Sequence, residues 1–148
     1  MRIDLIRSME ELLSRREFWD GILAENQNCI PFMEMDWIKG WWDLFGDQYD
    51  LHVLQVTEED KTVGFCPFMM TKGGFIKHPY FIGYPQANSM DFLFTNTRRG
   101  RAMDGVVRYL MRINGAVVIH LNGIPQDSPN MPLLSSCLSK YRGRYFSR

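Results

Sequence analysis

The most constraining stretch of this 148-residue chain lies near its middle. Residues 51–57 and 62–70 are two runs rich in apolar side chains, separated by Glu58, Glu59, Asp60 and Lys61. Two such runs around a short charged turn read as an antiparallel hairpin. Pro67 removes one ladder donor from the second run, which places that strand at an edge or at a bulge. Gly73 and Gly74 then turn the chain into a further strand candidate at 75–84, and 89–95 is another.

Helical spacing flanks this block. Ser8 followed by Glu11 has the spacing of a capping box. After it, Leu12, Leu13, Trp19, Ile22 and Leu23 fall on one stripe, predicting a first helix over about 8–26. Pro31 and Phe32 interrupt, and a second helix is expected over 36–45. There Trp37, Trp41, Leu44 and Phe45 share a face that Ile38 and Trp42 widen, as in a helix buried on more than one side. A third helix is expected over 99–113, with Ala102, Val106, Tyr109, Leu110 and Ile113 inward, and Asn114-Gly115 as its stop signal. Residues 116–121 read as a buried strand. Asp127, Ser128 and Pro129 offer a cap and a first-turn proline for a last helix reaching Lys140. Two helices, a strand meander, a helix, a strand and a helix imply an α/β fold with a mixed, mainly antiparallel sheet and helices on both faces. The length fits one domain, 1–148.

Composition narrows the function classes. The formal net charge is zero, against a broadly basic nucleic-acid binder. The charge is unevenly spread, however. Residues 1–60 hold 14 Asp+Glu and 5 Lys+Arg, a surplus of nine acids, while 61–148 hold 3 and 12, a surplus of nine bases. The second half therefore meets something anionic, or the two halves attract one another. Asp4, Glu10 and Glu11 interrupt any apolar signal segment. The longest uncharged stretch, 113–126, is too short and polar to span a bilayer. Cys29, Cys66 and Cys137, like His52, His78 and His120, show no metal-ligand spacing, so no metal is expected and a reducing cytoplasm fits best.

Several stretches taken in order resemble the GNAT acyltransferase superfamily, in particular its CelD-like branch. They are Pro31-Phe32 leading to Trp37 and Trp41-Trp42; Phe45-Gly46; Val63-Gly64-Phe65-Cys66-Pro67-Phe68; Ser89-Met90-Asp91-Phe92; and His120-Leu121-Asn122-Gly123-Ile124-Pro125 before Asp127-Ser128-Pro129. The resemblance covers about residues 8–130. It implies an N-acyltransferase that uses acetyl-CoA or another acyl-CoA as co-substrate and an amine as acceptor. The same resemblance leaves open a non-catalytic GNAT-like module that binds substrate or a partner domain. A third possibility is an aminoacyl-tRNA-dependent transferase of the FemABX kind, disfavoured by the absence of a long basic stripe.

In the family, the acyl-CoA pyrophosphate lies on a Gln/Arg-x-x-Gly-x-Gly/Ala loop at the start of the helix after the fourth strand, where free amides and the helix dipole favour anions. The matching place here reads Thr97, Arg98, Arg99, Gly100, Arg101 and Ala102, with Thr97 departing from the motif. His120 and Asp91 are the base candidates, because acyl transfer to an amine needs a group to take its proton. The family's thiolate-protonating tyrosine is not matched: Cys137 stands near its place, with Tyr141 one turn later. The family's closing two-strand hairpin is also unmatched, which makes the chain look like the N-terminal half of a tandem protein. That implies a homodimer or pairing with a second GNAT-like domain. An uncovered sheet edge would invite it. So would the arginines and aromatics of 140–148, facing the acidic first 60 residues of another copy.

Overall fold

A computed structural model describes residues 1–26, 30–113 and 116–141. The expected hairpin is its centre. Strands β2 (Tyr49–Glu58) and β3 (Lys61–Thr71) pair antiparallel from Tyr49↔Thr71 to Glu58↔Lys61. Glu59 and Asp60 close it with φ of 49° and 60°. Two successive positive φ values give the turn a twist that matches its strands.

β1 (Arg2–Ile6) has no counterpart in the sequence reading, yet it pairs antiparallel along β2 from Arg2↔Thr57 to Ile6↔Val53. On the other side of β3 lie two short strands, β5 (Pro79–Phe81) and β6 (Leu93–Phe94). Phe81 stands opposite Phe68 and Leu93 opposite Phe65. Between these pairs, Cys66 and Pro67 of β3 face a place where residues 82–92 leave the sheet and come back.

That excursion corrects the reading of Pro67. β3 is an interior strand, and the register shift in the hairpin falls at Val56/Thr57 instead. The Pro67 carbonyl accepts from Ile82 N at 2.8 Å, so it points toward the departing neighbour. A strand residue's N–H and C=O point to the same side, so the missing donor falls where no strand continues.

β4 (Ile76–Lys77) leads into β5 and pairs in parallel with β7 (Ala116–Val117). Val118 N to Lys77 O at 3.0 Å and His120 N to Pro79 O at 2.9 Å continue the pairing. The strands expected at 75–84 and 89–95 are thus short pieces. The one expected at 116–121 is neither long nor fully buried, since Val118 is 45% exposed.

Helices cover both sheet faces. α2 (Arg16–Glu25) sets Trp19 against Phe65 at 5.1 Å between ring centroids, and the indole N–H donates to Met33 O at 2.8 Å. Phe65 pairs with Gln55, an odd number of residues from His52, so the two lie on opposite faces. On the His52 face, α4 (Arg99–Leu110) contributes Tyr109. Its inward side chains are Ala102, Met103, Val106, Val107 and Leu110, and it stops short of Ile113. The fold is mixed α/β, with a mainly antiparallel open sheet flanked by helices.

The first helix is divided into α1 (Met9–Leu13) and α2. Ser8 caps α1 as its spacing requires, accepting from Glu11 N at 3.1 Å. The break has a local cause. Ser14 Oγ donates to Glu11 O at 2.6 Å, giving the backbone an alternative to a continued helix. α3 (Met35–Phe45) buries Met35, Ile38 and Trp41, but Leu44 is 77% exposed, so the apolar face is narrower than its spacing implied. In α5 (Asn130–Ser139) Pro129 is the cap residue, and it is Ser128 whose Oγ accepts from Asn130 N, at 3.0 Å. The Asn114-Gly115 stop, Cys29 and the 142–148 tail lie outside the described residues. No helix among the described residues is long and apolar enough to cross a membrane.

Gly64 marks the tightest approach across β3. A Cβ there would meet the Leu93 carbonyl at 2.6 Å and the Phe94 ring. Backbone cannot yield as a side-chain tip can, so Gly64→Ala should destabilise by about 1–3 kcal/mol. Urea unfolding midpoints check this, and an unchanged midpoint would contradict the packing described.

Candidate functional site

Residues 82–92 deliver Asp91 to the interior. The segment is held from two sides. On one, the Trp41 indole donates to Gln86 Oε1 at 3.0 Å. On the other, Met90 N donates to Gly123 O at 3.1 Å. Gly123 has φ +84° and lies so close to the segment that a Cβ would come within 2.9 Å of Asn88 O.

Asp91 is buried, and its carboxylate is the hub of a polar network. Oδ1 accepts from Phe92 N at 2.7 Å and from Asn130 Nδ2 at 2.8 Å. Oδ2 accepts from the Ser128 hydroxyl. Asn130 also donates to Phe92 O at 2.9 Å, while its own Oδ1 accepts from Arg99 at 3.0 Å. The Arg99 fork continues to Asn26 Oδ1 at 2.8 Å and Asn96 Oδ1 at 2.7 Å. Asn26 and Asn96 are themselves fixed on the end of α2, through Ile22 O at 2.7 Å and Glu25 O at 3.0 Å. One network therefore joins α2, β6, α4 and α5. Burial raises the Asp91 pKa against the pull of its three donors and Arg99, and burial lowers that of Arg99. A cavity of about 320 Å³ opens here, lined by Leu23, Asn26, Ile30, Met33, Asp91 and Arg99 among others.

The six residues of the candidate phosphate loop remain adjacent, but their side chains diverge. Thr97 is exposed and Arg98 is the cap residue of α4, without a side-chain cap bond. Arg99 turns inward to the asparagines. Arg98 Nε lies 3.1 Å and Arg101 Nη2 2.7 Å from the two oxygens of Glu58, whose side chain is only 4% exposed. These are ion pairs rather than aligned hydrogen bonds. Ala102 is buried and its N–H is already bonded to Arg98 O. At Gly100 a Cβ would meet only Leu133, at 3.8 Å, so space does not demand glycine there.

His120 sits elsewhere. Its Nε2 is 3.0 Å from His78 Nδ1, so one ring donates and the other accepts. It stacks on Tyr80 at 4.2 Å, and Tyr80 stacks on Tyr84 at 4.8 Å. Burial and the neighbouring His78 lower its pKa. Among the described residues no hydrogen bond connects His120 to the Asp91 network, so the two base candidates do not act as a hydrogen-bonded pair. No cluster of His, Cys, Asp and Glu able to hold a metal occurs among the described residues.

A second recess escaped the sequence reading. A groove of about 990 Å³ runs between β1 and α4, with His52 and Tyr109 joined at 3.2 Å (Nε2 to hydroxyl). Arg101 and Arg108 line it from α4, and Arg112 from just past the end of that helix. Its other wall is β1, a strand the sequence reading did not include. Burial, then the charges of Arg7 and Lys77, push the His52 pKa down to about 4.

Two predictions follow from these groups. Asn130→Ala leaves Asp91 and Arg99 with unmet buried bonds and should cost about 1–3 kcal/mol in urea unfolding. His52 has a pKa of about 4 when folded and about 6.5 when unfolded. The unfolded chain therefore binds more protons in that window, and stability falls as pH drops through it. The slope from this group is at most about 1.4 kcal/mol per pH unit. Asp91, shifted upward, acts in the opposite sense, so the measurement is the difference in pH profile between the native chain and His52→Gln. The native profile should fall more steeply below about pH 6.5.

No protein-family model, curated protein or solved structure matches this chain.

Proposed function

We propose that this chain is a GNAT-type N-acyltransferase domain that moves an acyl group from acyl-CoA to an amine. One observation carries the reading: a buried carboxylate, Asp91, shares a cavity with Arg99, the first residue of the helix on which the acyl-CoA loop motif falls. The chemistry fits that placement. A carboxylate has about four lone-pair sites, and Asp91 uses three, leaving one for an amine proton. A pKa raised by burial makes it a better base than an ordinary aspartate. As the amine nitrogen attacks the thioester carbonyl, its proton passes to Asp91 and the C–S bond breaks to release the thiolate. The uncapped start of α4 leaves amides at Arg99, Gly100 and Arg101 for the co-substrate's phosphates. Cys137 is buried with its thiol pushed up by burial, so it remains protonated at neutral pH. Pairing with a second copy or a second GNAT-like domain, and residence in a reducing cytoplasm, belong to the same proposal. The free buried thiols of Cys66 and Cys137 are in keeping with the latter.

A specific observation favours a second reading, a non-catalytic GNAT-like module that binds substrate or a partner domain. All three loop arginines already have partners: Glu58 for Arg98 and Arg101, and three asparagines for Arg99.

Calorimetric titration with acetyl-CoA and longer acyl-CoAs, followed by thiol release in the presence of amines, separates the two. The expected result is saturable binding, with about 2.7 kcal/mol of stabilisation at 100 times the dissociation constant. Asp91→Asn should keep binding while turnover falls about 10²–10⁴-fold. Binding without turnover in the native chain selects the module, and no binding to any acyl-CoA disposes of the acyltransferase.

A further inference from the structure

Six cations line the groove between β1 and α4: Arg7, Lys77, Arg101, Arg108, Arg112 and Lys140. Among the described residues the only acid in its wall is Asp104. Asp104 pairs with Arg108 and with Lys140, and Arg101 is held by Glu58. That leaves Arg7, Lys77 and Arg112, which make no ion pair or side-chain hydrogen bond among the described residues, and all three are exposed. Arg7 and Lys77 are both near enough to His52 to act on its charge. Gathering unpaired like charges around one recess carries a repulsive cost that a bound anion would remove.

Beneath the cations the groove is apolar. Ile3 and Leu5 of β1, Met70 of β3 and Ile113 line it together with the Tyr109 ring. The His52–Tyr109 pair adds hydrogen-bonding capacity, and because His52 stays neutral at pH 7 it adds no further charge. Met1 closes over Gly105 of α4, where a Cβ would come 3.0 Å from Met1 Cγ. The result is a concave site with a cationic rim and an apolar, aromatic-bearing floor.

We infer that this groove binds a phosphorylated small molecule of about nucleotide size, with its phosphates on Arg7, Lys77 and Arg112 and its ring on the floor beside Tyr109. The volume of about 990 Å³ lies at the upper end of small-molecule sites. Arginine forks suit phosphate oxygens, and a lysine adds a point charge beside them. A long nucleic acid fits less well, since the chain carries no net charge and these cations converge in one recess rather than forming a stripe. The groove shares Gly100 and Arg101 with the candidate acyl-CoA loop, but its phosphate ligands Arg7, Lys77 and Arg112 are outside that loop. It uses neither Asp91 nor Arg99, so the two readings are tested separately.

The test titrates ADP, ATP and inorganic pyrophosphate into three proteins at 0.1 M salt. These are the native chain, the double variant Arg7→Gln/Arg112→Gln, and Asp91→Asn. The exchanged arginines are exposed, and circular dichroism verifies that the double variant folds. Nucleotide should bind more tightly than pyrophosphate, and the double variant should weaken it tenfold or more, while Asp91→Asn leaves it unchanged. Nucleotide should also raise the His52 pKa followed by NMR, because it neutralises Arg7 and Lys77. The inference is overturned if no nucleotide binds, if the double variant binds it as well as the native chain, or if pyrophosphate binds as tightly as nucleotide. Failure of acyl transfer would appear only in thiol release, with these outcomes unaffected.

Discussion

Asp91 and Arg99 are buried charges of opposite sign that are joined through an amide rather than by a direct salt bridge. Asn130 donates to one and accepts from the other, a task that neither a carboxylate nor an amine could perform. Around this bridge the ends of four elements are drawn together: α2 through Asn26, β6 through Phe94 and the preceding Phe92, α4 through Arg99, and α5 through Asn130 and the preceding Ser128. Each charge alone would be costly so far from water, and each is tolerated because its hydrogen-bonding capacity is largely met. A polar network this well satisfied fixes relative positions more sharply than apolar packing does. The cavity beside Asp91 owes its shape to that.

The excursion at 82–92 makes the network possible. Had β5 run on into β6 without interruption, Pro67 would have left a gap in an interior ladder, and Asp91 would have no route to α4. By leaving the sheet opposite Pro67, the chain removes the first difficulty and creates the second position. The aromatic cluster of Phe68, Phe81, Phe92 and Phe94 fills the space at the point of departure and return. The break between β5 and β6 thus falls beside the Asp91 candidate site.

Elements with strong periodicity were legible in the sequence, and elements made by tertiary context were not. The hairpin, the capped start at Ser8 and the places of Ala102, Val106 and Leu110 on the inward face of α4 follow from spacing. Met103 and Val107, by contrast, take the inward places expected for Tyr109 and Ile113. β1 did not, because the alternation of Arg2, Ile3, Asp4 and Leu5 is too short to stand out until β2 is there to pair with it. Pro67 was misplaced because a missing donor indicates a missing neighbour without saying whether the whole strand or two residues lack it. Of the site, Asp91 and Arg99 were both singled out from the sequence, but for separate roles. Asn26, Asn96 and Asn130, which link and fix them, looked like ordinary polar residues, since an amide's value as a bridge appears only once both charges are placed. The basic groove was half visible as arginines on one side of α4, and its other half depended on the strand that was missed.

The pairing of Glu58 with Arg98 and Arg101 has a consequence for any anion at the start of α4. Glu58 belongs to β2, beside the hairpin turn, and is almost wholly enclosed. An arriving phosphate would therefore exchange partners with that carboxylate instead of neutralising idle cations. The net gain is the difference between two attractions, reduced further by whatever it costs to leave an enclosed carboxylate alone. Selectivity for any anion at the head of the helix would thus be set partly from the tip of the hairpin. A weakly charged visitor leaves the clasp shut, and only a strongly charged one can open it.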